Sequence, residues 1–123
     1  GTSNIVALDV VRAIKREGSL PVLSDYLLGL LADTTSITAA YRQALTDSLA
    51  RATKLAERAA AEGGEKLARQ AASGLYHCTT AIAMAWEAAK NGSTERLRLS
   101  QLALLHRVLP RDPLQASEIP VGW

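Results

Sequence analysis

The sequence predicts an all-α protein, an up-and-down helical bundle of about five helices, and three observations support this fold class. Ala and Leu, both strong helix formers, supply 41 of the 123 residues. Aromatic residues make up only 4% of the chain and Phe is absent, a composition that disfavours a β-sandwich or a β-barrel. Apolar residues recur at steps of three and four along most of the chain. The hydrophobic fraction of 48% also excludes a wholly disordered chain.

The first two predicted helices lie in the N-terminal part of the chain. The first spans about residues 4–17, where Ser3 or Asn4 can cap the start and Gly18 ends the helix. The second spans about residues 21–33, and Pro21 suits the first turn of a helix. The apolar stripe of the second helix consists of Leu23, Leu27, Leu30 and Leu31.

The third and fourth predicted helices are long and form an antiparallel hairpin. They span about residues 36–62 and 65–90, on either side of the helix-breaking pair Gly63-Gly64. Their apolar stripes are Ile37, Tyr41, Leu45, Leu49, Ala52, Leu55 and Ala59, and Leu67, Ala71, Leu75, Cys78, Ile82, Ala85 and Ala89. Because many of these residues are small, we expect the two helix axes to approach closely.

The fifth predicted helix follows the turn Asn91-Gly92 and is capped by Ser93 or Thr94. We expect it to run to about Leu109, because Pro110 cannot continue a helix. The tail over residues 110–123 is proline-rich and is predicted to be irregular. In this arrangement the second and fifth helices complete the bundle, and the first packs on its end.

The sequence contains no complete catalytic or metal-binding group. Neighbouring residues on a helix point about 100° apart, so His77 and Cys78 cannot act together as a base and a nucleophile. A buried Cys78 beside a half-buried His77 is expected instead. His106 is expected to place a favourable charge near the end of the fifth helix. The glutamates are dispersed and are interpreted as solvated surface, with Asp47–Arg51 and Glu62–Lys66 available as ion pairs.

The charge distribution gives weaker information. The net charge of +2 does not require a nucleic acid or an anionic membrane as a partner. Four arginines near the C-terminus form a candidate basic patch, although a solvated face is the simpler interpretation: Arg96, Arg98, Arg107 and Arg111. The single cysteine suits a reducing compartment. The longest uncharged stretch, residues 70–86, is short for a transmembrane helix, so no membrane span is expected.

The opening segment, GTSNIVALDVVR over residues 1–12, resembles a signature of the acyl-CoA dehydrogenase family. In that family a catalytic Glu is followed at once by Gly-Thr, a polar residue and an apolar helix. The alternative is an artificial Gly-Thr-Ser extension before an ordinary helix, but Asn4-Ile5 and Leu8-Asp9-Val10 continue the resemblance past such an extension. More than 100 residues follow the motif. This is similar to the two family branches that carry an extra C-terminal helical domain, the very-long-chain branch and the alkylation-response branch, and the run Leu-Asp-Val-Val-Arg is more similar to the second.

The resemblance implies a set of site residues at the start of the chain. Gly1 would contact the acyl-CoA substrate, and Thr2, Ser3 and Asn4 would contact FAD, where a helix N-terminus favours phosphate groups. The same three polar residues can instead serve only as helix caps. The catalytic Glu of the family would precede Gly1. The resemblance therefore implies that the chain is inactive alone, as a natural part of a longer flavoenzyme or as a fragment cut after that Glu.

The expected organisation follows from this resemblance. Residues 1–18 would end the catalytic region, and residues 19–123 would form an extra helical bundle. The expected role is subunit assembly and a contribution to the edge of the flavin and acyl-CoA site, within a homo-oligomer of an oxidoreductase in the cytoplasm, or in the mitochondrial matrix of a eukaryote. A nucleic-acid-associated domain is the alternative function, as the alkylation-response branch implies. A helical interaction module without any relation to flavin is the third hypothesis.

Overall fold

A computed structural model describes residues 19–61, 65–110, 114 and 118–123 of the chain. Four α-helices follow one another: α1 (Ser19–Ala32), α2 (Ala39–Ala60), α3 (Ala68–Asn91) and α4 (Thr94–Ala103). A 3₁₀ turn (Glu65–Leu67) precedes α3, and a π-helical turn (Leu104–Val108) continues α4. The described residues contain no strand, and they confirm the all-α bundle. The expected number of about five helices is slightly wrong for this part of the chain, and the first predicted helix falls on residues outside it.

The helix ends follow from local capping. The Thr38 hydroxyl accepts a hydrogen bond from the Tyr41 N–H at 3.2 Å, which sets the start of α2 three residues later than the sequence predicted. Gly92 ends α3 in the left-handed conformation, with φ of 65°, and its N–H donates to the Ala88 carbonyl. The Ser93 hydroxyl then caps α4 by accepting from the Arg96 N–H at 3.1 Å.

The predicted fifth helix is α-helical only as far as Ala103. Beyond Ala103 the helix widens into the π-helical turn. There the Leu109 N–H donates to the carbonyl of Leu104, five residues earlier in the chain, at 2.9 Å. Pro110, which has no N–H, follows directly. The expectation of a regular helix to Leu109 is therefore wrong in its last turn, although the stop before Pro110 is confirmed.

The buried side chains show that α2 and α3 run antiparallel. Residues from the second half of α2 share one apolar cluster with the first half of α3: Ala52, Ala56, Ala59, Ala68, Ala71, Leu75 and Cys78. Residues from the first half of α2 share another with the second half of α3 and with α1: Leu27, Leu31, Tyr41, Leu45, Leu49, Ala81, Ile82 and Ala85. Alanines dominate the first cluster, and small side chains allow close approach of the two helices.

Two groups of polar contacts join the outer helices to this hairpin. The buried Ser100 hydroxyl of α4 donates to the Ala81 carbonyl at 2.6 Å and lies 2.7 Å from the Tyr41 phenol oxygen. Since a hydroxyl has one hydrogen to donate, Tyr41 is the donor to Ser100. At the other side, Asp33 after α1 accepts from Lys90 at 2.6 Å and from the Trp86 indole at 3.2 Å, both on α3.

Candidate functional site

A cavity of about 740 Å³ lies between α2, α3 and the π-helical turn. The described residues that line it come from three segments and include five with a positive charge: Ser48, Arg51, Ala52, Lys54, Leu55, Arg58, Arg69, Gln70, Ser73, Gly74, Arg107 and Val108. The cavity is open to solvent at its cationic rim, because all five charged side chains are exposed. It is the strongest candidate for a binding site in the described part of the molecule.

Helix α2 supplies three of the cations. Arg51, Lys54 and Arg58 are spaced by three and four residues, so they follow one another along a single face of the helix. Beneath them, Ala52 and Ala56 turn toward α3 and are buried. The apolar side of α2 therefore fixes the helix against its neighbour and leaves the cationic side over the cavity.

Helix α3 supplies the facing wall. Arg69 and Ser73 are four residues apart, as are Gln70 and Gly74, so each pair lies on one helical face. A Cβ added at Gly74 would meet no atom within 4 Å. The absence of a side chain at Gly74 thus leaves room in the wall, although glycine is a poor helix former.

The π-helical turn closes the third side. Arg107 and Val108 both lie in this turn and both line the cavity. A π-helical turn shifts the register of the residues that follow it, and such turns often occur at functional sites. The sequence contains no pattern that predicts a π-helical turn here, because the apolar spacing of residues 97–109 is compatible with an ordinary helix.

The lining has a strongly positive electrostatic character. None of the described lining residues is acidic. The ion pairs found in the described ranges lie elsewhere, between Lys90 and Asp33 and between Arg96 and Glu87. The positive charge affects the pKa of two neighbouring side chains, the buried Cys78 and the half-buried His77. Burial raises the pKa of the Cys78 thiol to about 11, against the opposing effect of Arg51. Burial and then Arg107 lower the pKa of His77.

Ser48 is a buried polar residue in the wall of the cavity. The residue lines the cavity wall, it is 2% exposed, and its Oγ has no hydrogen-bond partner among the described residues. A buried hydroxyl without a partner costs about 1–3 kcal/mol. The Oγ is also shielded from solvent, so it does not face the open part of the cavity.

The structure separates the basic residues that the sequence grouped together. Of the predicted C-terminal patch, Arg107 lines the cavity, whereas Arg96 pairs with Glu87 at 3.6 Å and Arg98 is exposed on α4. Arg111 lies outside the described residues. Sequence analysis missed the cluster of Arg51, Lys54, Arg58 and Arg69 with Arg107, because these cations come from three separate helical segments.

Other sequence expectations have mixed outcomes. The buried Cys78 and the half-buried His77 are confirmed. Asp47 does not pair with Arg51 as suggested, but accepts a hydrogen bond from Gln43 at 2.7 Å. The residues assigned by resemblance to substrate and FAD, Gly1, Thr2, Ser3 and Asn4, lie outside the described part of the chain.

No group of three or more His, Cys, Asp or Glu side chains among the described residues is arranged to hold a metal ion. No helix in them is long and apolar enough to cross a membrane. Comparison of the chain with protein-family models, with curated proteins and with solved structures gives no match.

Proposed function

We propose that this chain is a C-terminal helical part of an FAD-dependent protein similar to the acyl-CoA dehydrogenases, and that it is inactive alone. The observation that carries the proposal is the resemblance of residues 1–12 to the segment that follows the catalytic Glu of that family. In this proposal, Gly1 contacts acyl-CoA in the parent protein, and Thr2, Ser3 and Asn4 contact its FAD. The remaining helices support subunit assembly.

The described bundle is compatible with a supporting role. Helices α2 and α3 bury an alanine-rich seam along much of their length, and the Tyr41–Ser100–Ala81 hydrogen bonds tie α4 to both of them. Buried hydrogen bonds of this kind favour one arrangement of helices over its alternatives. A rigid bundle of this kind is suited to hold an attached segment and to present a surface to another subunit.

The test of the cofactor assignment is Asn4→Leu in the protein encoded by the whole reading frame that contains this chain. If Asn4 contacts FAD, flavin affinity falls while the stability of the bundle is unchanged, because a lost ligand contact acts mainly on the bound state. If Asn4 is only a helix cap, the substitution costs about 1 kcal/mol of stability and flavin affinity is unchanged.

Thr38→Ala is the matched control for this experiment. Its hydroxyl caps α2 within the bundle, by accepting from the Tyr41 N–H. Loss of this cap is expected to lower stability by about 1 kcal/mol and to leave flavin affinity unchanged. Equal flavin affinity in the wild type and in Asn4→Leu would overturn the assignment of Asn4 to the cofactor site.

The parent protein in this proposal is a homo-oligomer located in the cytoplasm, or in the mitochondrial matrix if the source is eukaryotic. The apolar residues left exposed on the bundle support self-association: Val22, Tyr26, Leu28, Tyr76 and Leu99. The single cysteine, Cys78, is compatible with either reducing compartment.

A further inference from the structure

We propose that the cavity between α2, α3 and the π-helical turn binds a small organic anion that carries two or more phosphate groups, of the size and chemistry of a nucleoside diphosphate. This site is distinct from the FAD and acyl-CoA positions proposed for residues 1–4. It rests on the cavity alone, so its success or failure is independent of the resemblance to the flavoenzymes.

The charge of the lining favours an anionic ligand. Arg51, Lys54 and Arg58 stand along one face of α2, and Arg69 and Arg107 approach from α3 and the π-helical turn. Without a bound anion these cations repel one another, since none of the described lining residues is acidic. Arginine presents a planar set of donors that matches phosphate oxygens in two-point contacts, and four of the five cations are arginines.

The size and the walls of the cavity favour an organic ligand over a free inorganic ion. Cavities that bind small organic molecules have volumes of about 300–1,000 Å³, and this one measures about 740 Å³. Ala52, Leu55 and Val108 give it an apolar section between the cations. The exposed Gln70 amide can hydrogen-bond to polar groups on the body of the ligand.

Two features favour a small ligand over a nucleic acid. The cations surround one concavity shared by three helical segments, whereas a binding surface for nucleic acid extends along the polymer's backbone. None of the described lining residues is aromatic, so the cavity offers no platform for stacked single-stranded bases.

The proposal is tested by titration calorimetry of the 123-residue chain with ADP, inorganic pyrophosphate, inorganic phosphate and a short DNA duplex, all at one ionic strength. We expect ADP to bind most tightly, pyrophosphate more weakly and phosphate most weakly. Arg51→Gln and Arg107→Gln should each weaken ADP binding by about tenfold or more, the usual effect of losing one charge-assisted hydrogen bond. Circular dichroism and thermal unfolding of each variant check that it is folded.

Two further variants distinguish binding in the cavity from general electrostatic attraction to the protein surface. Arg98→Gln removes one positive charge from the exposed side of α4, away from the cavity, and should leave ADP affinity within about twofold of the wild type, because exposed charges are well screened by salt. Gly74→Met fills the open space in the α3 wall without changing the charge, and should weaken ADP binding while retaining weak binding of pyrophosphate.

Several outcomes would overturn the proposal. One is the absence of ADP binding by the folded wild type. Another is an equal loss of ADP affinity in Arg98→Gln and Arg51→Gln, which would indicate that ADP is attracted by the net charge of the protein and not by the cavity. Equal affinity for ADP and pyrophosphate would show that the nucleoside contributes nothing to binding, and would contradict the proposal that the ligand is organic. Tight binding of the DNA duplex that is lost in Arg51→Gln, without ADP binding, would assign the cavity to nucleic acid instead.

Discussion

Tyr41 makes a buried polar contact that joins α2 to α4. Its side chain is fully buried, its phenol donates to Ser100, and its ring lies 4.7 Å from the ring of Trp123, centroid to centroid. Burial raises the pKa of the Tyr41 phenol well above its ordinary value, so the donor keeps its proton at neutral pH. The apolar stripe of α2 predicted that Tyr41 lies in the core. No local pattern in the sequence predicts that its hydroxyl bonds to Ser100, which is 59 residues away.

Tyr41→Phe and Ser100→Ala should therefore destabilise the protein to different degrees. Tyr41→Phe removes one donor but leaves the Ser100 hydroxyl bonded to the Ala81 carbonyl, at a cost of about 1 kcal/mol. Ser100→Ala leaves the Tyr41 hydroxyl buried without a partner, which costs up to about 3 kcal/mol. Urea unfolding of both single variants and of the double variant measures the coupling. Additive effects in the double variant would contradict a direct hydrogen bond.

Cys78 is predicted to be chemically inert in the folded protein. Burial raises the pKa of its thiol from 9.0 to about 11, so little thiolate is present at neutral pH, and the residue is only 1% exposed. A thiol reagent should modify Cys78 much more slowly in buffer than in denaturant. Modification at the rate of a free thiol under native conditions would show that α2 and α3 separate readily. The sequence predicted this burial because Cys78 continues the apolar stripe of α3.

At the level of elements, the apolar spacing predicted which segments are helical, and it was less successful at their ends. The junction of α3 and α4 was predicted correctly from Gly92 and Ser93. Gly92 ends α3 through its own left-handed backbone and Ser93 caps α4 with its own hydroxyl, so both effects are local to the sequence. The 3₁₀ turn before α3 and the π-helical turn after α4 were missed, since both depend on packing against other helices. The basic cavity was missed for the same reason, as Arg107 reaches it only from the π-helical turn.

The attachment of α1 to α3 is expected to depend on pH through Asp33. The hydrogen bonds from Lys90 and then from Trp86 lower the pKa of Asp33 from its ordinary 3.8. A carboxylate whose pKa is lowered in the folded state stabilises the protein fully at a pH above the pKa of the unfolded state. This stabilisation is lost as the pH falls through the lower pKa of the folded state. The effect is small, because Lys90 and Asp33 are 45% and 54% exposed and solvent screens the pair.

Asp33→Asn should abolish this contribution. We expect the variant to be slightly less stable than the wild type at neutral pH, with a difference that shrinks as the pH falls below about 4 and the wild-type carboxylate approaches its lowered native pKa. Unfolding curves recorded across this pH range measure the difference. A constant difference at every pH would indicate that the charge of Asp33 contributes nothing. Asp25→Asn is the matched control, because Asp25 is exposed on α1 and has no ion pair with a described residue.

At the scale of the whole molecule, the bundle leaves apolar side chains exposed where a partner can cover them. Val22 and Tyr26 are 69% and 63% exposed and lie one turn apart on α1. We expect the chain to self-associate through this face, because an exposed apolar patch is commonly an interface. Tyr26→Lys should shift sedimentation toward the monomer, whereas Ala50→Lys, at an exposed position on α2, should not. A strictly monomeric wild type at high concentration would contradict this prediction.

We proposed that this helical chain is part of an acyl-CoA dehydrogenase-like flavoprotein, and FAD content is the measurement that tests this proposal most directly. The protein encoded by the reading frame that contains the codon for Gly1 should purify with near-stoichiometric FAD, seen as visible absorption. The 123-residue chain purified alone should be helical and colourless. A reading frame whose product contains no flavin, or near-stoichiometric flavin bound to the 123-residue chain itself, would contradict the account.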